Sequence, residues 1–378
     1  HLIQARLLEA SVVDGKLRAV RSKATDGRVR DSLRYFGAHT GRWTGRGFQP
    51  QNLPRTPKGL DVAGIVAGLI EGDEAPFRAA VLASPSQTAV EVLPPLLRAV
   101  IAAPPGRLLA QADYASIEAR GVLWLVGDEQ KLDQLRQGVD LYKVMASRVF
   151  GVGIDEVTDE QRRLGKALVL GCGYQMGPKR FRESAAKNGV DWSTLDITPA
   201  RAVNAWRDAN PLIAGRRTGG MFKGNVLRIG GLWKELEALA AKVVRDGHVG
   251  RLGKLHFSGK EGDLHVELPS GRILVFADAR WEAGDDGRMK VRFSKPRGGR
   301  ETLYGGRLTE NIVQAFCRDV VAEALVRLEA GGYDVVLHVH DSVAAEVDTA
   351  EAYVEFVRIL EEIPDWAEGF PLKVDGGC

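Results

Sequence analysis

No run of eighteen apolar residues occurs in this 378-residue chain, so no membrane-spanning helix is expected. No signal-peptide pattern opens it, and it starts on His1 rather than Met, which points to a fragment or a processed product. Cysteine is scarce. The three present, Cys172, Cys317 and Cys378, show no CxxC spacing. That argues against a zinc site and against a disulfide framework, and for a reducing compartment. Internal repeats and low-complexity tracts are absent too, which excludes solenoid and linker-like architectures. What remains is ordinary for a soluble globular protein: 44% apolar and 27% charged residues, with length enough for two or three subdomains.

Net charge is only +3, but its distribution is uneven. Residues 1–60 hold twelve Lys/Arg against four Asp/Glu, whereas 321–378 hold three against thirteen. The basic end suits a polyanion, or is simply a solvated face. The acidic end would repel nucleic acid unless some of its carboxylates hold cations.

Residues 1–35 read as the end of a basic helix and a connection, and 36–58 as an ordered polar loop. Leu108–Ala112 reads as a strand that turns helical after Asp113. A helix is expected over 158–176, started by a Thr158/Gln161 capping box and stopped at Gly177-Pro178. Helical patterns with Gly-rich breaks fill 198–248. Period-two hairpins fill 250–296, and a helix over 308–331 follows. The stretch "LHVHDSVAAEV" (337–347) alternates like a strand with one face in a core, except that His340-Asp341-Ser342 interrupts it. A carboxylate there is expensive to bury unpaired.

Several constellations carry chemistry. Asp113 and Asp341 each end an apolar strand segment, 228 positions apart. Two carboxylates brought together would repel. Two hard divalent cations would resolve that and stabilise attacking and leaving oxygens in phosphoryl transfer. The alternative is two unrelated turn aspartates. Arg162, Lys166, Leu170 and Tyr174 recur every four residues on one helix stripe. A polyphosphate would bridge the two cations, and the Tyr could stack under a base. A surface helix with a chance basic pair is the alternative. The loop "HTGRWTGRGFQPQNLPR" (39–55) offers Arg42, Arg46, Gln49, Gln51, Asn52 and Arg55, residue types that bind phosphates, sugars and groove-edge acceptors, or is simply a polar surface loop.

Together these residues resemble the polymerase domain of family A DNA polymerases, the bacterial DNA polymerase I type, in a phage-like branch. "DYASIEAR" (113–120) is similar to motif A, "RRLGKALVLGCGYQMG" (162–177) to motif B and "VHDSV" (339–343) to motif C. "TGRW", "QPQNLPR" and "ENIVQAFCRD" (310–319) resemble further family segments, all in the family's order. The resemblance implies an α+β right-hand polymerase fold, with an antiparallel-sheet palm, a helical fingers insertion and a thumb largely absent. Residues 1–30 would be a thumb remnant, 31–128 and 301–378 the palm, 129–249 the fingers and 250–300 a strand-rich connection. A thumb and exonuclease would then have been cut away, lie on another chain, or never have existed.

The implied activity is template-directed addition of dNTPs to a primer 3′-OH with release of pyrophosphate. The resemblance assigns Asp113, Asp341 and the Tyr114 carbonyl to two Mg²⁺ ions, with Mn²⁺ able to substitute. Arg162 and Lys166 would grip the triphosphate, and Lys166 could protonate the pyrophosphate. Leu170 and Tyr142 would also face the nucleotide, Tyr174 would stack near the templating position, and Glu118 would be the steric gate. Arg42, Gln51, Asn52, Arg55, Gln314 and His340 would contact primer-template DNA. Further partners would be a separate thumb or exonuclease segment or a processivity factor, with no membrane, in the cytoplasm of a bacterial or phage-infected cell.

Four positions depart from the pattern: Leu170 for an aromatic residue, Ser116 for Gln, Tyr142 for His and Ser342 for Glu. A His-Asp-Ser motif C resembles that of phage-type single-subunit RNA polymerases, the first rival. Glu118 argues against it, because an RNA enzyme must admit the 2′-hydroxyl. A catalytically inactive replication scaffold is the second rival, opposed by the intact carboxylates and Arg/Lys pair.

Overall fold

The computed structural model describes residues 12–378 apart from 55, 58, 86, 223, 224, 285 and 297. It divides into two compact units. The first comprises the chain up to Asp113, with Leu328–Arg358 and Gly376–Cys378; the second comprises Tyr114–Arg327 and Ile359–Asp375.

In chain order, α1 (Val12–Lys23) leads to the ribbons β1 (Ala24–Thr25) with β2 (Arg28–Val29) and β3 (Leu33–Arg34) with β4 (Thr44–Gly45). Helices α2 (Val62–Glu71), α3 (Ala75–Ala83) and α4 (Ala89–Leu96) follow, then strand β5 (Leu108–Tyr114). Next come α5 (Ile117–Val126), α6 (Glu129–Arg136), α7 (Leu141–Phe150), α8 (Asp159–Gly171), α9 (Pro178–Lys187), α10 (Pro199–Ala209) and α11 (Pro211–Ala214). A ribbon, β6 (Arg216–Phe222) and β7 (Asn225–Ile229), precedes α12 (Leu232–Asp246). Strands β8 (Gly250–Leu252), β9 (Leu255–Lys260), β10 (Asp263–Glu267) and β11 (Ile273–Phe276) form one antiparallel sheet. Strands β12 (Arg280–Ala283), β13 (Met289–Ser294) and β14 (Arg300–Thr302) form another. The long helix α13 (Gly305–Ala330), the hairpin β15 (Asp334–Val339) and β16 (Ser342–Val347), α14 (Ala352–Glu361) and β17 (Val374–Gly377) complete the chain.

In the first unit, Val13, Phe48, Leu53 and Leu97 make one small core and Ile65, Val92 and Leu96 another. The sheet that matters runs β15-β16-β5-β17. Ala110 and Ala112 of β5 and Val343, Ala345 and Val347 of β16 are all buried. Such small and β-branched residues suit a strand hemmed in on both sides. This corrects the expected half-buried strand at 337–347: β16 is central, and Ala344 and Glu346 on its other face are buried as well.

The second unit packs around large side chains, among them Leu164, Leu168, Phe181, Trp206, Trp233, Phe257 and Phe316. The leucines and phenylalanines among them are each worth about 1.5–3 kcal/mol when fully buried. Thr158 and Gln161 cap α8 reciprocally, as the sequence implies, with side chain-to-backbone bonds of 3.3 and 3.0 Å. The helix is shorter than expected. It ends at Gly171 and tightens into a 3₁₀ turn over Cys172–Tyr174. Gly177-Pro178 is not its stop but the start of α9, because a proline at the first helical position loses no hydrogen bond. The Gly-rich break within 198–248 is also more than a break, since it holds the β6–β7 ribbon.

Candidate active site

In the first unit, Ser342 pairs with Asp113 across β16 and β5, and Val339 pairs with Ser342 across the hairpin. Asp341 therefore sits on the two-residue turn, next to the residue opposite Asp113. Folding brings the two expected metal ligands to neighbouring strand ends. Asp113 is exposed and Asp341 half-buried, so neither carboxylate carries the full desolvation cost that a mid-strand position would impose.

Residues paired across a strand share a face, so Ser342 lies on the Asp113 side of the sheet. Its hydroxyl accepts a 3.2 Å hydrogen bond from the Gln111 amide. His340, the other turn residue, is exposed and adopts a left-handed backbone, φ 56°. Glycine is the usual occupant of such a position, and a bulkier residue held there marks strain often found at functional sites. Ser116 (φ 52°) and Gln175 (φ 63°) are strained alike, so each of the three family-like motifs carries one such residue.

The buried carboxylate of this hairpin is not Asp341 but Glu346, which is 4% exposed. Arg28 grips it with two hydrogen bonds of 2.9 and 2.7 Å, and Arg107 lies 3.7 Å away. Lys16, also buried, donates to the Phe48 and Gln49 carbonyls at 2.7 and 2.9 Å. Part of the basic N-terminal charge thus serves the fold, and arginines compensate the acidic end.

The loop at 39–55 is tied to the same hairpin, since the Trp43 ring meets His338 edge-on at 4.6 Å. Arg42 is half-exposed on this loop. The Asn52 amide donates to Gln49 at 3.0 Å. Gln51 turns inward: its Oε1 is buried, without a hydrogen-bond donor among the described residues, and a Cβ on Gly45 would lie 2.4 Å from it. Arg55 lies outside the described residues.

In the second unit, α7 and α8 present a cationic cluster. Asp140 caps α7 by accepting from the Tyr142 and Lys143 amides, and its other oxygen takes Arg162 at 2.6 Å. Burial pushes the Asp140 carboxyl up, but the Arg162 bond and the two amides outweigh it and hold the group below its ordinary value. The Tyr142 ring carries both cations, Arg162 at 5.3 Å and Lys166 at 5.8 Å from its centroid. Lys166 is exposed and has no carboxylate partner among the described residues. The Tyr142 hydroxyl is hydrogen-bonded to that of Ser116, so two of the departures from the family pattern meet each other. Gly165 permits the close approach: a Cβ there would lie 2.1 Å from the Tyr142 carbonyl oxygen.

Tyr174 donates a 2.5 Å hydrogen bond to Glu118. Both residues, with Leu170, Val122, Trp206 and Asn210, line a cavity of about 60 Å³. The Tyr174 turn is fixed from behind, where Trp233 donates to the Gly173 carbonyl at 2.9 Å and the Gly306 amide donates to Gln175 at 2.9 Å. The Tyr114 side chain is buried and donates to the Leu360 carbonyl at 2.6 Å, which leaves only its backbone for any ligand role. Gln314 is half-exposed on α13. Sequence reasoning missed Asp140, Gly165 and Trp43. An Asp just before a helical run and a Gly within one were available as signals.

The first unit thus carries paired strand-end aspartates, and the second carries a clustered Arg/Lys pair and a tyrosine bonded to a glutamate. The model for DNA polymerase family A matches residues 3–190, and the chain belongs to that family. The DNA polymerase of Bacillus phage SP02 is 33% identical over 373 residues, which cover 93% of this chain and 52% of that one. DNA polymerase I of Mycobacterium tuberculosis is 33% identical over 163 residues, 43% of this chain and 14% of that one. The chain thus spans about half the length of the phage relative. Among solved structures, the POL domain of Pol1 from M. smegmatis, in complex with DNA primer-template and dNTP, matches with a TM-score of 0.54. It is 20% identical, with 96% of this chain and 49% of that one covered, and it supports the α+β polymerase-domain fold. Among the described residues, no helix is long and apolar enough to cross a membrane.

Proposed function

We propose that this chain is a template-directed DNA polymerase that adds dNTPs to a primer 3′-OH and releases pyrophosphate. The observation that carries the reading is the register placing Asp341 beside the partner of Asp113, two carboxylates 228 positions apart in the chain at adjacent strand ends. Residues 31–128 and 301–378 serve as palm, 129–249 as fingers and 250–300 as the connection between them.

Among the described residues, no group of three or more His, Cys, Asp and Glu could hold a metal ion. Two carboxylates suit Mg²⁺ nonetheless, because that ion keeps several waters and takes its remaining ligands from phosphates. Asp113, Asp341 and the Tyr114 carbonyl would hold two Mg²⁺ or Mn²⁺ ions. When bound, these neutralise charge on the attacking and leaving oxygens. The remaining work belongs to the chain. Arg162, oriented by Asp140, forks onto phosphate oxygens, while Lys166 adds a point charge and a proton for the pyrophosphate. Glu118, held by Tyr174, fills the space a 2′-hydroxyl would need. Tyr174 stacks near the templating base, and Leu170 and Tyr142 border the nucleotide. Arg42, Asn52, Gln314 and His340 reach primer-template phosphates and minor-groove acceptors, which look alike for every base pair and so report geometry rather than sequence.

Primer extension in Mg²⁺ tests the reading. Extension with dNTPs supports it. Extension mainly with NTPs favours an RNA polymerase, and none in Mg²⁺ or Mn²⁺ favours a DNA-binding scaffold. Asp113→Ala and Asp341→Ala should each abolish extension while primer-template binding persists. Wild-type-like extension by either variant would sink the two-carboxylate assignment.

A further inference from the structure

The β6–β7 ribbon is an excursion between two helices whose facing ends lie close together. Helix α11 ends at Ala214 and α12 begins at Leu232. Between them the backbone is pinched shut: a Cβ on Gly231 would lie 2.3 Å from the Gly215 nitrogen and 2.9 Å from the Ile213 carbonyl oxygen. Both glycines have φ of 84°, a conformation other residues adopt only under strain. The chain leaves through Gly215, runs out and back, and re-enters through Gly231.

Its composition is one-sided. Residues 215–231 contain Arg216, Arg217, Lys223 and Arg228 and no Asp or Glu. The two faces differ. Arg217 pairs with Arg228 across the strands, and both arginines reach Asp208, at 2.6 and 2.5 Å. Arg228 also donates to the Gly215 carbonyl at 3.1 Å, which fastens this face to the root. On the other face Arg216 lies across from Ile229, with Leu227 two residues along. Arg216 is exposed and has no carboxylate partner among the described residues. Ile229 is 63% and Leu227 45% exposed. A two-stranded ribbon has no second layer to cover such residues.

The root is joined to the Tyr174 turn within the same unit. Trp233, in the first turn of α12, donates to the Gly173 carbonyl beside Tyr174, and Arg207 of α10 donates to the Met176 carbonyl at 3.2 Å. We propose that the β6–β7 ribbon engages duplex DNA ahead of the templating base, with Arg216 on phosphate and Leu227 and Ile229 wedged at the junction where the strands part. A polyanion suits an acid-free ribbon, a duplex groove admits a two-stranded ribbon, and aliphatic side chains are effective wedges between base steps. The proposal rests on the polymerase reading above.

The test compares two substrates: a primer on a single-stranded template, and the same primer facing an annealed downstream strand. The variant is the triple Arg216→Glu, Leu227→Ser, Ile229→Ser, which leaves the Asp208 anchor intact, and its thermal unfolding is measured alongside. The expected result is a loss of about tenfold or more in synthesis through the downstream duplex, with single-stranded extension within about twofold of wild type. Undiminished strand displacement by the variant overturns the proposal. So does equal loss on both substrates, or wild-type extension that halts at the duplex. Failure of the wild type on the single-stranded template would instead refute the polymerase reading itself.

Discussion

Gly165→Ala tests the architecture of the cationic cluster most directly. The new methyl carbon would meet the Tyr142 carbonyl oxygen at 2.1 Å, the Tyr142 carbonyl carbon at 3.1 Å and the Ala146 nitrogen at 3.2 Å. These are backbone atoms of a buried helix pair and cannot swing aside as a side-chain tip would. Relief requires α7 and α8 to part by about 1.4 Å, since ordinary contacts begin near 3.5 Å. Overpacking of this kind costs about 1–3 kcal/mol, offset by about 1 kcal/mol from replacing glycine inside a helix. Stability should therefore fall only slightly. Nucleotide handling should fall much more. Parting the helices stretches the 2.6 Å Asp140–Arg162 bridge and lifts Tyr142 from the two cations it underlies. A misplacement of about 1 Å in such a group costs on the order of 100-fold in rate. Single-nucleotide insertion kinetics and thermal unfolding, measured on the same preparation, separate the two effects. A variant with wild-type kcat and KM would refute the claim that the Gly165 contact positions Arg162 and Lys166.

Two further outcomes are expected. Tyr174→Phe removes the hydroxyl that donates to Glu118 at 2.5 Å, a bond to a charged group worth about 1.5–3 kcal/mol. Discrimination between dNTP and NTP should fall about tenfold or more, and an unchanged ratio of kcat/KM values would show that Glu118 holds its place unaided. Asp140→Asn keeps an acceptor for the α7 amides but loses the ion pair. Because the native Asp140 carboxyl lies below its ordinary 3.8, its stabilising contribution is complete above that pH and disappears as pH falls through the lower, native value. Unfolding of variant and wild type should differ at neutral pH and converge well below pH 3.8. A difference that persists in strong acid would mean that something other than the Arg162 pairing is lost.

Much of the local structure was legible in the sequence. The Thr158/Gln161 capping box, the strand before Asp113, the helix past residue 308 and the hairpin around Asp341 follow from periodicity and capping chemistry, which act over a few residues. The errors share a cause. Gly177-Pro178 looks the same whether it stops one helix or starts the next, and only the chain's path after Tyr174 decides between them. Alternation at 337–347 implies one buried face, because a pattern within one strand cannot show that β5 and β15 flank it. A Gly-rich break cannot reveal a ribbon whose strands are set by the Gly215–Gly231 pinch.

The sequence by itself determined the family, through three motifs in order, and supplied the residues proposed for phosphoryl transfer: two aspartates, an Arg/Lys pair and a glutamate. Those are properties of short segments, and short segments are read without folding. Tertiary structure alone decided which residues meet. Arg28 finds Glu346 across 318 positions and Gln111 finds Ser342 across 231. Tyr142 comes to lie under two cations because Gly165 lets one helix backbone touch another. Such pairings depend on how many elements pack at once, and no local pattern encodes them.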